Sequence, residues 1–250
     1  MAKHVIRPIP LNKISNMPQQ FFTYLTGVGP THSSANTIWY IEGPEKKIIV
    51  DAGGSSETAR MIMHFLAPQA IVEDIQSLEN GLNHVGLKPE DIDIVILTHL
   101  HNDHLEMAHR FTKAKFIVQR ADLDFIDNPH PSVAGACANK DALKGLDLDV
   151  VEGDREVLDG INLWLTPGHT PGGQSVIVDT AKGKAVITGF CCIRENFEPP
   201  AEVKAMMPVI PPGVHIDVRD IYDSVIKVKE FADIVIPLHD AGAAEKDSIP

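Results

Sequence analysis

The sequence predicts an α/β protein built of two sheets with helices on the outside. Three observations carry that prediction. β-rich runs fall into two sets, each set is followed by segments with helical spacing, and histidines and aspartates gather where strands end. Two sheets packed face to face still have outer faces to bury, and helices are the layer that covers them.

The elements follow in order. "TIWYIEG" and "KKIIVDAGG" are β-rich runs around a turn containing Gly43 and Pro44, which reads as a hairpin. Residues 57–66 and 70–85 read as helices. In the second, Ile71, Ile75, Leu78, Leu82 and Val85 recur at helical spacing and Gly86 supplies a stop. "LKPEDIDIVILTH" is a turn, a short acidic step and a buried strand from Ile92 to Leu97. "KFIVQR" is a further strand and "ADLDFI" opens a helix. "INLWLTPGH", "QSVIVDT" and "KAVITGF" are three more strands, and Ile221, Val225 and Val228 mark a helix that feeds a last strand, "DIVIPLHD". The proline-rich "PVIPPGV" (208–214) reads as a loop within the fold, so residues 1–250 are expected to form one domain.

Composition narrows the class. Hydrophobic residues make up 44% of 250, enough for a substantial core. No apolar run approaches the roughly 18 residues of a membrane span, and "MAKHVIRPIP" lacks the apolar stretch of a secretory signal. Three cysteines, two of them adjacent, make no disulfide framework. A cytoplasmic, reducing location is expected. The net charge of −12 opposes nucleic-acid binding, which needs clustered Lys and Arg. The expected partner is a small-molecule substrate, not a nucleic acid or a membrane. The sequence does not set the oligomeric state and is compatible with a homodimer.

The chemistry concentrates in "THLHNDH", residues 98–104. His99 and His101 are two apart at a strand end, where alternate side chains share a face. Asp103 and His104 fall in the turn beyond. His169 follows the strand "NLWLTPG" and His239 follows "DIVIPL". Imidazole and carboxylate suit Zn, and Fe or Mn as well. Four ionisable residues within six positions at the end of a buried strand would be costly without a metal or a polar network. The other histidines, among them His4, His32, His64, His84, His109 and His130, belong to no spacing pattern and read as ordinary surface or core residues.

"THLHNDH" resembles the H-x-H-x-D-H signature of the metallo-β-lactamase fold. "IIVDAGG" is similar to that family's early strand ending in Asp and Gly, "TPGHTPGGQS" to its third-histidine loop and "PLHD" to its last, so the likeness runs from about residue 20 to 240. "FIVQRADLD", "VVEGDREVLDGINLWLTPGHTPGGQS" and "RENFE" resemble the N-acyl-homoserine lactonase branch. The resemblance implies an αββα sandwich with two mixed sheets and one or two divalent metal ions, Zn above all, at one edge. It places His99, His101 and His169 in one metal site and Asp103, His104 and His239 in a second. Asp51 would orient a ligand, though a hairpin-end aspartate that caps backbone amides is the alternative.

Three departures stand against the family pattern. Relatives bridge their metals with a carboxylate from a "TGD"-like or "TID"-like strand end, and here "VITGFCCIREN" offers Phe190 or Gly189. The tyrosine that follows in lactonases is replaced by Cys192 or Ile193. Small residues after D-H give way to Leu105, Glu106 and Met107. Cys191 or Cys192 could supply a thiolate instead, with Cys191 the better placed; or the second metal is held weakly; or catalysis is lost. Buried cysteines at a strand end are also common as packing residues. Glu106 could act on a substrate or simply face solvent.

The resemblance implies a metal-dependent hydrolase. A metal-bound hydroxide, available near pH 7, would attack a lactone or a related cyclic or activated ester, with Asp103 ferrying the proton. Arg194 and His215 are candidates for orienting the substrate. The alternatives are a thioesterase or amide hydrolase of the same fold, or a non-catalytic metal-binding relative. A di-iron redox role would call for a glutamate where this chain has His101.

Overall fold

The computed structural model describes residues 3–250. The first sheet is built from β1 (Val5–Pro18), β2 (Thr31–Glu42), β3 (Ile48–Val50), β4 (Ile71–Asp74), β5 (Ile94–Ile96), β6 (Lys115–Gln119) and β7 (Asp147–Val151), in the spatial order β4-β1-β2-β3-β5-β6-β7. The second holds β8 (Arg155–Leu158), β9 (Ile161–Leu165), β10 (Gln174–Thr180), β11 (Gly183–Ile187) and β12 (Ile234–Ile236), in the order β12-β11-β10-β9-β8. Both sheets are mixed. β3, β5, β6 and β7 run parallel while β1 and β2 are antiparallel, and only the β11–β12 pair is parallel in the second sheet. The helices are α1 (Ser56–Leu66), α2 (Leu78–His84), α3 (Asn102–Leu105), α4 (Arg120–Asp127), α5 (Arg194–Phe197), α6 (Ala201–Lys204), α7 (Val218–Phe231) and α8 (Ala241–Ala244).

Alternation along the strands sorts side chains into three apolar layers. Ile48 and Val50 meet Leu163, Val176, Val178 and Ile187 between the two sheets, while Ile49 between them turns outward toward α2. Ile177 likewise turns away from the inter-sheet layer and packs on Ile221, Val225 and Val228 of α7. Each such side chain contributes roughly 1.5–3 kcal/mol on burial. The αββα arrangement is therefore present: helix, sheet, sheet, helix. No helix among the described residues is long and apolar enough to cross a membrane.

Two elements differ from the sequence expectation. Residues 70–85 are not one helix: β4 pairs with β1 over Asn12–Ser15, and α2 begins only after Ser77, whose hydroxyl accepts the Asn80 N–H. Ile71 and Ile75 are half exposed, so the helical spacing they complete buries nothing. β-branched Ile71 and Val72 on an open sheet edge prefer the ladder. The second is β1, which its prolines conceal. Pro8 and Pro10 pair only with β2, on a stretch that β4 does not reach, so the missing N–H groups fall where no ladder bond is needed.

Candidate metal centre

Strand ends from both sheets deliver the site. Beyond β5 the chain passes through Thr98 and His99 to His101, which starts α3; α3 carries Asp103 and His104. The turn between β9 and β10 brings His169, and the segment after β12 brings His239. Gln174 fastens the two sheets together beneath them. Its backbone N–H donates to the Thr98 carbonyl (2.9 Å), its side-chain amide donates to the Leu97 carbonyl (2.7 Å), and its Oε1 accepts from Gln119 (3.0 Å).

The six side chains fall into two groups. His99, His101 and His169 have ligating atoms within 4.8 Å of one another, and so do Asp103, His104 and His239. In the first group the Nε2 atoms of His99 and His169 face each other at 3.2 Å. In the second, Asp103 Oδ2 lies 3.2 Å from His104 Nε2 and 3.7 Å from His239 Nε2. The rings of His99 and His104 are 4.1 Å apart, so the groups adjoin.

Hydrogen bonds on the far side of the rings fix their orientation. His104 donates from Nδ1 to Asp51 (2.8 Å), which also accepts the Thr98 backbone N–H (2.7 Å) and hydroxyl (3.0 Å). Asp51 thus both orients a histidine and caps a backbone amide, and it does so from a left-handed φ of 64°, a region that aspartate enters more readily than most non-glycine residues. His169 donates from Nδ1 to the Val214 carbonyl (2.7 Å), which explains what the 208–214 loop contributes. With Nδ1–H used in this way, the Nε2 lone pairs of His104 and His169 point inward.

These donors suit a cation. His104 Nε2 is buried, and its one close polar neighbour, Asp103 Oδ2 at 3.2 Å, lies outside hydrogen-bonding geometry. Burial holds His99 and His169 well below the usual histidine range and brings His101 and His239 down to about 4, so their rings are neutral with lone pairs free. Burial also opposes charge on His104, but Asp103 and Asp51 on either side outweigh it and push that ring up to about 10. Two carboxylates there demand positive charge, and a divalent ion meets that demand. Burial works against the charge on Asp103 too, yet His104, His239 and His101 hold its carboxyl well below the usual range.

The "TGFCC" segment presents no carboxylate. Phe190 is buried against Phe197 and Ile177 beneath α7, on the side away from the histidines. A Cβ at Gly189 would collide with the Gln174 carbonyl, so that position admits no side chain while β10 stays in place. Cys192 is buried with its sulfur 3.0 Å from the Thr188 hydroxyl, and burial pushes its thiol up to about 12. Cys191 lines the cavity in front of the histidines but belongs to neither group of converging ligand atoms. Burial, Cys192 and Asp103 raise its thiol well above the ordinary value.

That cavity, of about 140 Å³, is bounded by Ile14 and Met17 of β1, Phe22, the Ala59, Ile62, Met63 and Leu66 face of α1, and the metal-side residues His101, Asp103, His169 and His239. No lysine or arginine lines it. Arg194 pairs with Glu198 at the surface, and His215 bonds the Pro212 carbonyl and packs on Tyr24; neither reaches the cavity. Glu106 is not solvent-facing: its carboxylate accepts from the Ser55 N–H, the Ser55 hydroxyl and the Thr58 hydroxyl, anchoring the start of α1 over the site. Sequence reasoning missed Asp122. Its buried carboxylate accepts the Leu100 N–H (3.1 Å) and the Gly172 N–H (2.7 Å), tying the two histidine loops together, and nothing in "ADLDFI" signals it.

The matches to known proteins agree with this geometry. Residues 34–189 match the model of the metallo-beta-lactamase superfamily. An N-acyl homoserine lactonase from a Bacillus species is 30% identical over 190 residues, covering 67% of this chain and 73% of the relative. One from Bacillus cereus is 35% identical over 170 residues, covering 64% and 65%. The crystal structure of a Bacillus thuringiensis AiiA mutant with N-decanoyl-L-homoserine bound at its active site superimposes with a TM-score of 0.79 at 24% identity, covering 97% of this chain and 95% of that one.

Proposed function

The chain belongs to the metallo-beta-lactamase superfamily and is related to its N-acyl homoserine lactonases; from that premise we propose that it opens lactone rings bearing an apolar substituent. The observation that carries this reading is the meeting of the two ligand groups with a largely apolar cavity that has no cationic side chain. A phosphate or nucleotide group carried away from the ligand groups would meet no lysine or arginine on the cavity wall, whereas a neutral alkyl or acyl tail can pack against Ile62, Met63 and Leu66.

In this reading His99, His101 and His169 hold one divalent ion and Asp103, His104 and His239 a second, with Zn the expected metal and Fe or Mn compatible. Bound ions of this kind supply a hydroxide nucleophile at neutral pH and polarise the ester carbonyl. The chain's own groups do the rest. Asp51 and the Val214 carbonyl hold two rings in their productive tautomers, and the α1 face excludes water around the tail. Asp103, ionised and one-third exposed toward the cavity, takes the proton of the attacking water and returns it to the alkoxide as the ring C–O bond breaks. Water is consumed and a hydroxy acid is formed.

A specific observation keeps a second reading in view. The strand end after β11 carries no bridging carboxylate, which is what a metal-binding relative without activity would show. Proton release from a panel of lactones, esters and thioesters, with protein loaded with Zn, Mn or Fe, separates the two. Turnover of lactones that is lost in His101→Ala supports the proposal. Metal bound with no turnover of any ester supports the inactive relative, and preferential turnover of thioesters would move the assignment to that class.

A further inference from the structure

A further group of ligating side chains stands apart from the six of the centre. His32 near the start of β2, Glu195 of α5 and Asp240, the residue after His239, bring one imidazole nitrogen and two carboxylate oxygens within 4.8 Å of one another. All three are partly buried, and none lines the cavity in front of the histidines. The chain thus brings together three segments that lie far apart in sequence.

The protein supplies no cation to this group. Glu195 Oε2 is buried and has no hydrogen-bond partner. The His32 side chain makes a ring contact with Phe22 and pairs with neither carboxylate among the described residues. The Arg194 charge acts on both carboxylates, yet its guanidinium is paired with Glu198. Asp240 is held firmly: one oxygen accepts the Ala243 N–H (3.0 Å) and the other the Arg194 N–H (3.1 Å), so each keeps a lone pair. A buried carboxylate oxygen left without a partner carries a desolvation penalty, and an ion among these three side chains would remove it.

We propose that His32, Glu195 and Asp240 form a further metal site, separate from the two groups of the centre, that takes a divalent transition ion, Zn above all. An imidazole nitrogen beside two carboxylates suits Zn, Mn or Fe, whereas Ca and Mg favour all-oxygen sets. The partial exposure leaves the remaining positions to water. The ion's role is structural. It clamps β2 and α5 to Asp240, and so holds the segment that carries His239. Its donors are less buried than those of the centre, so it fills after the centre does. The proposal does not depend on the lactone reading.

The test counts zinc per chain, with free zinc buffered in the micromolar range, in wild type, Glu195→Gln and His32→Gln. The expected result is about one zinc fewer per chain in each variant than in wild type. Wild-type crystals equilibrated with the same buffer should show anomalous scattering from zinc among the three side chains. Equal zinc counts in wild type and variants would overturn the proposal. So would the absence of anomalous density among His32, Glu195 and Asp240, and this measurement decides the matter should both variants fail to fold. Zinc that appears there only at millimolar concentration would mark an adventitious ion only and would overturn it equally.

Discussion

The two halves of the candidate metal centre are built differently. His99, His101 and His169 form an all-histidine group, buried throughout, with His169 held by the Val214 carbonyl and its loop tied to that of His101 by Asp122. Asp103, His104 and His239 form a charged group open to the cavity through Asp103, and it depends on a single outer carboxylate, Asp51. The first group is held by the Val214 carbonyl, the Asp122 carboxylate and the Thr98 hydroxyl 3.1 Å from His99 Nδ1, the second by the charge of Asp103 and Asp51. On the side where relatives carry a bridging carboxylate, this chain has Gly189 packed against β10 and Phe190 turned into another core. The difference teaches that the two positions should not respond alike to perturbation.

The largest effect should come from the all-histidine group. Chelation, or His101→Ala, is expected to reduce lactone hydrolysis at least about a thousandfold, a loss on the scale of removing metal-assisted catalysis; undiminished turnover by chelated protein would break the assignment of the whole centre. Asp51→Ala comes next. Losing an outer-shell partner typically costs about 10- to 100-fold in metal affinity, and here the loss should fall hardest on the Asp103 group, which Asp51 bonds directly through His104, and less on His99, which it reaches only through Thr98. Metal analysis at limiting concentration should then show one ion retained where wild type keeps two. An equal loss from both positions would erase the contrast drawn above.

A third prediction concerns Asp122, 1% exposed, whose carboxyl burial raises to about 6. Its folded-state pKa lies above the unfolded value of 3.8, so the folded protein binds the extra proton. The resulting stabilisation is complete below about pH 4 and is lost as pH rises through about 6, on the order of 3 kcal/mol across the window. Denaturant unfolding between these values should show that slope in wild type and not in Asp122→Asn. A slope that persists in the variant would place the proton elsewhere. The smallest effect is expected from Cys191→Ser. Because Cys191 stands outside both converging groups, metal content should not change. A sulfur-to-metal band in cobalt-loaded wild type that disappears in the variant would instead make the thiolate a ligand of the second ion.

Much of this was legible in the residue order. Ile221, Val225 and Val228 announce α7 by spacing alone, and Asp217 caps it by accepting the Arg219 and Asp220 N–H groups. "THLHNDH", His169 and His239 could be paired with strand ends because a ligand cluster is a local pattern of residue types. The errors came where long-range pairing overrode local spacing. Ile71 and Ile75 complete a helical repeat, yet β1 offers an open edge and takes Ile71–Asp74 as a strand. β1 itself could be recognised only once its prolines were seen to face no partner.

The sequence by itself determined the layered α/β class and the identities of the converging side chains, because hydrophobic period and ligand type are written residue by residue. Only the tertiary structure decided which groups support them and which remain free. Asp122 lies 22 positions beyond Leu100 and 50 before Gly172, yet it bonds both. Glu106 is spent on the start of α1, while His104 Nε2 and the ligating atoms around it converge with no protein group to satisfy them. Whether a buried polar atom is satisfied depends on what the rest of the chain brings within hydrogen-bond distance, and no local pattern records that.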